Sequence, residues 1–261
     1  MTLGFSDLGV EIKNCVATVE MRRPPDNHFD NVMIHQLAVT YEALDACDDC
    51  RAIVLCSQGK SFCAGADLKN HPDTAAAHEG GGAVKHLYRE ALRMFRTRKP
   101  VVAAVHGPAV GGGLGVAVSA DFRVTCKEAR FSANFSRLGL HPGFGLSHTL
   151  PRLIGAQKAA MLFLTGRRIA GDEAYAMGLA DQLVAQSEVR AAAHALATEI
   201  AQSAPLAVMS IRDTLRRGLA EKVEAITERE LFEQEWLRRT ADFQEGVKAY
   251  SEKRLPDFKN R

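Results

Sequence analysis

Along the chain, short apolar runs alternate with stretches in which apolar residues recur every three to four positions. The runs at 15–21, 52–56, 101–105 and 122–126 predict strands. Those at 52–56 (AIVLC) and 101–105 (VVAAV) are apolar throughout, as in strands buried on both faces. Met33, Leu37, Tyr41 and Leu44 fall at helical spacing and predict a helix over 32–46. Val84, Leu87, Tyr88, Ala91, Leu92 and Phe95 line one face of a second helix. From 146 onward the periodicity is mainly helical, over 146–164, 172–178, 188–203, 205–219 and 222–253, with Pro205 placed to open a helix. Strands alternating with helices, then helices alone, predict an α/β core over 1–200 and a helical region over 201–261. No internal repeat of solenoid length is visible.

One segment changes the picture briefly. Residues 100–120 carry no formal charge and are long enough to span a bilayer. Five glycines and two prolines interrupt them, and Gly107-Pro108 breaks the middle, so a strand, a loop and a short helix fit better. The first residues lack a basic region followed by an apolar run, so no secretory signal is expected. Thirty-three basic against 31 acidic residues leave +2, no electrostatic case for nucleic acid or an anionic membrane. The six cysteines are too few for a disulfide framework in 261 residues and are expected to be reduced, in a cytoplasmic protein.

The candidate chemistry lies in two loops. In each, an apolar strand ends in a Gly/Ala-rich turn that opens a helix: residues 62–68 (FCAGADL) and residues 107–115 (GPAVGGGLG). The first N–H groups of a helix have no internal partner and sit at the positive end of its dipole. Two such donors converging on one point would hold a carbonyl oxygen as it becomes an oxyanion, an arrangement worth ~10²–10³ in rate per donor. Taken alone, each loop is equally well read as packing of helix on strand. The phase of the glycines and the lack of an acidic residue ending a following strand argue against a dinucleotide fingerprint, and no phosphate loop is present. Cys47-x-x-Cys50 has no partner pair at zinc spacing, the histidine pairs stand seven apart, and no nucleophile elbow exists, so no metal site is expected.

These two loops, with SADFRV, ARFSANFSRLGLHPGFG, LTGRRIAGDEAYAMGLAD and EGVKAYSEKRLPDF, resemble the enoyl-CoA hydratase/isomerase (crotonase) superfamily over about residues 10–258. The resemblance implies an α/β fold, a spiral of ββα repeats with a C-terminal helical trimerisation region. It also implies a trimer or dimer of trimers, and an acyl-CoA thioester as substrate, with coenzyme A part of the substrate and no separate cofactor. It places the oxyanion donors at the amides of Ala66 and Gly112. It assigns coenzyme contacts to Lys69 and, from the C-terminal region, often in a neighbouring subunit, to Tyr250 and Lys253. Arg23 is a weaker candidate for the phosphates.

The sequence departs from the family where a hydratase keeps its two glutamates, which here are Gly115 and Phe135. Neither side chain carries a proton, so the usual hydration and single-glutamate isomerisation are not expected. Aromatic-acyl-CoA dehalogenases share the GGGLG spelling and an aromatic residue at 135, which suggests a pocket for a bulky or flat acyl group. Their nucleophilic aspartate, however, falls on Gly143 and their histidine near Tyr88. Dienoyl-CoA isomerases also place an aspartate at the Gly143 position. His141 is then the first candidate acid/base, since an imidazole titrates near neutrality. Tyr88, His86 and Asn134 follow. His106 and Asp121 are expected to be structural, Asp121 by capping or pairing locally. Two functions remain: an acyl-CoA lyase, isomerase or hydrolase with non-standard proton chemistry, or an acyl-CoA-binding protein without turnover.

Overall fold

In a computed structural model of the chain, residues 4–66 and 87–261 are described. The chain opens on a hairpin, β1 (Leu8–Lys13) against β2 (Val16–Met21), followed by α1 (Asn31–Asp45), β3 (Ala52–Ser57), α2 (Leu87–Phe95) and β4 (Val101–Val105). The two-residue β5 (Ala109–Val110), α3 (Gly112–Ser119), β6 (Phe122–Thr125) and β7 (Arg130–Ser132) lead into a 3-10 turn, Asn134–Leu138. Helices α4 (Leu146–Ile154) and α5 (Ala156–Thr165) precede β8 (Arg168–Ala170), α6 (Gly171–Ala176) and β9 (Gln182–Leu183). Four helices finish the chain: α7 (Val189–Gln202), α8 (Pro205–Arg216), α9 (Leu219–Leu237) and α10 (Ala241–Glu252).

One sheet runs β1-β2-β3-β4-β6-β9, parallel except for the opening hairpin. A smaller sheet, β5-β7-β8, is extended by bridges from Cys63 to Ala109 and from Phe29 to Ala66. From β3 to β7 the chain alternates between the two: a strand in the large sheet, a short segment in the second ladder, then helix or turn. This is a repeating ββα spiral, written in the backbone although no repeat shows in the sequence. Every residue of β3 and β4 is buried, as expected of parallel strands covered on both faces. Helix α7 packs across β2, β3, β4 and β6 on one side, and α1 packs against α2.

Four expectations change. The edge strand β1 has only a weak alternation of exposure and was not predicted. The helix expected over 146–164 is two helices broken at Gly155, whose φ of +82° suits glycine. The helix expected over 222–253 is also two, because Thr240 starts α10 by accepting a hydrogen bond from the Phe243 amide at 3.1 Å. Asp121 is structural but not local: its carboxylate accepts from Arg212 Nε at 2.9 Å, Arg216 Nη1 at 2.8 Å and the Val101 amide at 2.8 Å. Burial alone would raise its pKa, but the two guanidiniums of α8 hold it below its ordinary value. The segment at 100–120 forms β4, β5 and α3, and among the described residues no helix is long and apolar enough to cross a membrane.

Candidate active site

The two glycine-rich loops are laced together. The Cys63 amide donates to Pro108 O and the Val110 amide to Cys63 O, both at 3.0 Å. A side chain at Gly113 would place its Cβ 2.0 Å from Cys63 O, so only glycine permits this approach. The proline loop at 22–29 holds the first strand of the lacing. Asn27 is fully buried; its Nδ2 donates to Gln58 O (2.6 Å) and Ser61 O (2.8 Å), and the Ala64 amide donates to Asp26 O. Gly65 has a φ of +94°, and its Cβ position lies 3.8 Å from the Gly112 nitrogen. Ala66 follows directly, bridged to Phe29 through Phe29 N–H···O=C of Gly65 at 3.0 Å. Gly112 is the first residue of α3, so its N–H has no acceptor within the helix.

Around this junction, aromatic rings occupy the room that glycines leave. The Phe29 ring lies 2.4 Å from the Cβ position of Gly112, Phe144 2.6 Å from that of Gly115, and the Tyr88 hydroxyl 2.2 Å from that of Gly143. Phe144 meets Phe29, Tyr88 and Phe95 at centroid separations of 5.9, 6.3 and 6.5 Å, normal for favourable tilted and edge contacts. Thus the space beside Gly115 holds the Phe144 ring, and the space beside Gly143 holds the Tyr88 phenol. Asn134 and Phe135 border Gly111, with Asn134 Oδ1 3.4 Å and Phe135 Cζ 3.9 Å from its Cβ position. Asn134 is 7% exposed, and its carboxamide has no hydrogen-bond partner within the chain among the described residues.

Three glutamates are buried among the described residues. Glu20 is bound by Arg22 and Arg190, and Glu90 by Arg93 and His35. Glu230, on α9, is fully buried behind the Phe144 segment. Its Oε2 accepts from the Gly145 amide at 2.7 Å and its Oε1 from the Ser147 amide at 2.9 Å. Burial pushes its carboxyl up to about 7 against the pull of those amides. One turn on, Gln234 Nε2 donates to His141 O (2.8 Å) and to the Tyr88 hydroxyl (3.1 Å). Burial raises the Tyr88 pKa, so the phenol stays protonated at neutral pH.

The remaining candidates are scattered. His141 is half-buried on the same segment, and its Nδ1 pairs with Pro142 O at 2.8 Å. The Arg23 guanidinium is engaged by Asp7 at 2.6 Å and Asp30 at 3.0 Å, so an anion there would compete with two carboxylates. Tyr250 is 42% exposed near the end of α10, and Lys253 caps that helix in the left-handed conformation; neither joins the loops within this chain. Lys69 and His86 lie outside the described residues. His106 Nε2 pairs with Gly59 O at 3.0 Å, a structural contact. Phe29, Phe144, Glu230 and Gln234 were not singled out from sequence. A helical stripe at 219, 223, 227, 230 and 234 that turns polar at its last three positions was the available signal for the last two.

Comparison with known proteins gives these features a context. The family description "Enoyl-CoA hydratase/isomerase" matches residues 11–261. The 1,2-epoxyphenylacetyl-CoA isomerase of Escherichia coli is 31% identical over 251 residues, covering 95% of this chain and 96% of its own length. The bovine enoyl-CoA hydratase domain-containing protein 2, mitochondrial, is 35% identical over 254 residues, covering 93% of this chain and 84% of its own. The crystal structure of an enoyl-CoA hydratase/isomerase from Pseudoalteromonas atlantica superposes with a TM-score of 0.88 at 30% identity, covering 97% of this chain and 100% of that one. With the spiral fold and the paired glycine loops, these matches show that the chain belongs to the enoyl-CoA hydratase/isomerase family.

Proposed function

We propose that this protein is an enzyme acting on a coenzyme A thioester with a flat, aromatic acyl group, whose carbonyl oxygen is held by the amides of Ala66 and Gly112. The observation that carries the reading is the approach of the two loops: the open N-terminus of α3 faces the residue preceding Ala66, within 3.8 Å of its Cβ position. Donors fixed in place before the reaction stabilise an enolate or a tetrahedral oxyanion without reorganising. The rings of Phe29, Tyr88, Phe135 and Phe144 favour a planar acyl group, and a relative named for an epoxyphenylacetyl substrate points the same way. Asn134, beside Gly111, would hydrogen-bond an oxygen of the acyl group.

Standard two-glutamate hydration does not fit. Gly115 carries no carboxyl and its side is filled by Phe144; Phe135 is a hydrocarbon; and both oxygens of Glu230 are taken by amides at zero exposure. His141 is the proposed acid/base. A proton on Nδ1, donated to Pro142 O, leaves Nε2 as the basic nitrogen. Isomerisation, C–C cleavage, decarboxylation and hydrolysis are the reactions in view. The same shortage of carboxylates favours a second reading, an acyl-CoA-binding protein without turnover.

The chain is further proposed to be cytoplasmic and to assemble as a trimer or dimer of trimers. Exposed Leu206, Ile211 and Leu215 on α8 and Phe232 and Trp236 on α9 supply apolar surface for contacts between copies. Neighbouring copies would bring Tyr250 and Lys253 to the coenzyme, and Lys69, with Arg23 as the weaker candidate, would bind it from within the chain.

The test is incubation with a panel of acyl-CoAs, including phenylacetyl-CoA and butyryl-CoA, followed by mass analysis of bound and free thioesters. Alteration of an aromatic thioester, lost in Gly112→Pro, supports the enzyme. Retention without alteration supports the binder, and no retention of any thioester refutes both.

A further inference from the structure

Helix α9 turns one stripe of residues inward: Leu219, Val223, Thr227, Glu230 and Gln234. Three of these five are polar, and buried polar groups persist only where bonded. Apart from a bond that Gln234 Oε1 accepts from Arg238 on the same helix at 3.2 Å, the bonds of Glu230 and Gln234 end on one short segment or on the ring beside it. Glu230 caps the first turn of α4, which has no side-chain cap of its own, through the Gly145 and Ser147 amides. Gln234 holds the other end of that segment at His141 O and reaches across to the Tyr88 hydroxyl. Val223 closes the contact, with its Cγ1 2.6 Å from the Cβ position of Gly145.

Between the two grips lies Phe144, with a φ of +64°. A bulky residue in the left-handed region costs roughly 1–2 kcal/mol and persists only when its surroundings hold it there. That backbone conformation directs the Phe144 ring into the space beside Gly115. Tyr88, fixed by Gln234, fills the neighbouring space beside Gly143. We propose that Glu230 and Gln234 are a pair of positioning residues that fix Phe144 and Tyr88 as the wall of the acyl pocket, and so determine which acyl groups the site accepts. Neither residue touches the substrate. The inference rests on the reading that the cleft takes an acyl thioester.

The experiment measures binding of phenylacetyl-CoA, butyryl-CoA and free coenzyme A by titration calorimetry to wild type, Glu230→Gln and Gln234→Leu. With the wall in place, the wild type prefers phenylacetyl-CoA over butyryl-CoA. Each variant is expected to lower that preference at least fivefold while coenzyme A affinity stays within twofold. A purely structural role would weaken all three ligands together, so variants that keep the wild-type preference overturn the proposal. Should a variant fail to fold, hydrogen exchange on the wild type decides: strong protection of the Gly145 and Ser147 amides supports the clamp, and rapid exchange overturns it. A wild type that binds neither thioester refutes the acyl-CoA reading itself, and the positioning role falls with it.

Discussion

Adding a single methyl group at residue 115, where the family resemblance puts a hydratase glutamate, tests whether the space beside it is closed. In Gly115→Ala the new Cβ would lie 2.6 Å from Cγ and Cδ1 of Phe144 and 2.7 Å from its Cβ. Ordinary carbon contacts are about 3.5–4.0 Å, so the ring would have to retreat by about 1 Å. It has little room to do so. Three aromatic neighbours hem it in, its exposure is 1%, and Glu230 holds the backbone that carries it. Overpacking of this kind costs ~1–3 kcal/mol. Gly→Ala inside a helix returns ~1 kcal/mol, so the net loss should be about 0–2 kcal/mol. In a Phe144→Ala background the collision disappears and the helix preference remains, so the same change should stabilise by up to ~1 kcal/mol. Urea denaturation of the four proteins closes a double-mutant cycle with an expected coupling of about 1–3 kcal/mol. If Gly115→Ala stabilises in both backgrounds, the space is open and the steric argument against a carboxylate there fails.

Other expectations follow from the charges and from the proposed lack of hydratase carboxylates. Glu230 has its pKa raised from 4.5 to about 7 in the fold, so the unfolded chain releases its proton first as pH rises. Its contribution is complete below pH 4.5 and lost through pH 7, a fall of ~3 kcal/mol relative to Glu230→Gln. Parallel stability curves for the two proteins would contradict this. Asp121 has a lowered pKa, so its contribution is present above the unfolded carboxylate range and lost as acid protonates the folded group. Asp121→Asn strands Arg212 and Arg216 and should cost ~3–5 kcal/mol by chemical denaturation at pH 7, with a flatter acid limb. Crotonyl-CoA hydration by the wild type should be negligible; turnover of several per second, followed spectrophotometrically, would show that a carboxylate outside Gly115 and Phe135 does the work.

Much of this was legible in the sequence because hydrophobic patterning specifies elements directly. The runs at 52–56 and 101–105 and the Asp30-capped α1 are where the periodicity puts them. The helix opened by Gly112 was signalled by the change from apolar run to glycines. What escaped was set by contacts across long separations. The edge strand β1 is defined by its pairing with β2, not by its own composition. Asp121 reads locally as a cap, but its arginines lie 91 and 95 residues further on. Phe144 reads as one residue of a loop. Its backbone conformation depends on a glutamate 86 positions away in a helix that sequence assigns to another region. The sequence shows a glycine at 115 and at 143, but not that the rings of Phe144 and Tyr88 fill the space beside them.

The claim on which the account depends is that the Ala66 and Gly112 amides grip the thioester carbonyl. Infrared difference spectroscopy of phenylacetyl-CoA labelled with ¹³C at the carbonyl measures that bond directly. Two amide hydrogen bonds should move the bound carbonyl band to lower frequency than in free solution, with a smaller shift in Gly112→Pro, which lacks one donor. Because the Cβ at 112 meets Phe29, Gly112→Ala serves as the control that keeps the N–H. A bound carbonyl at its solution frequency in the wild type would contradict the account.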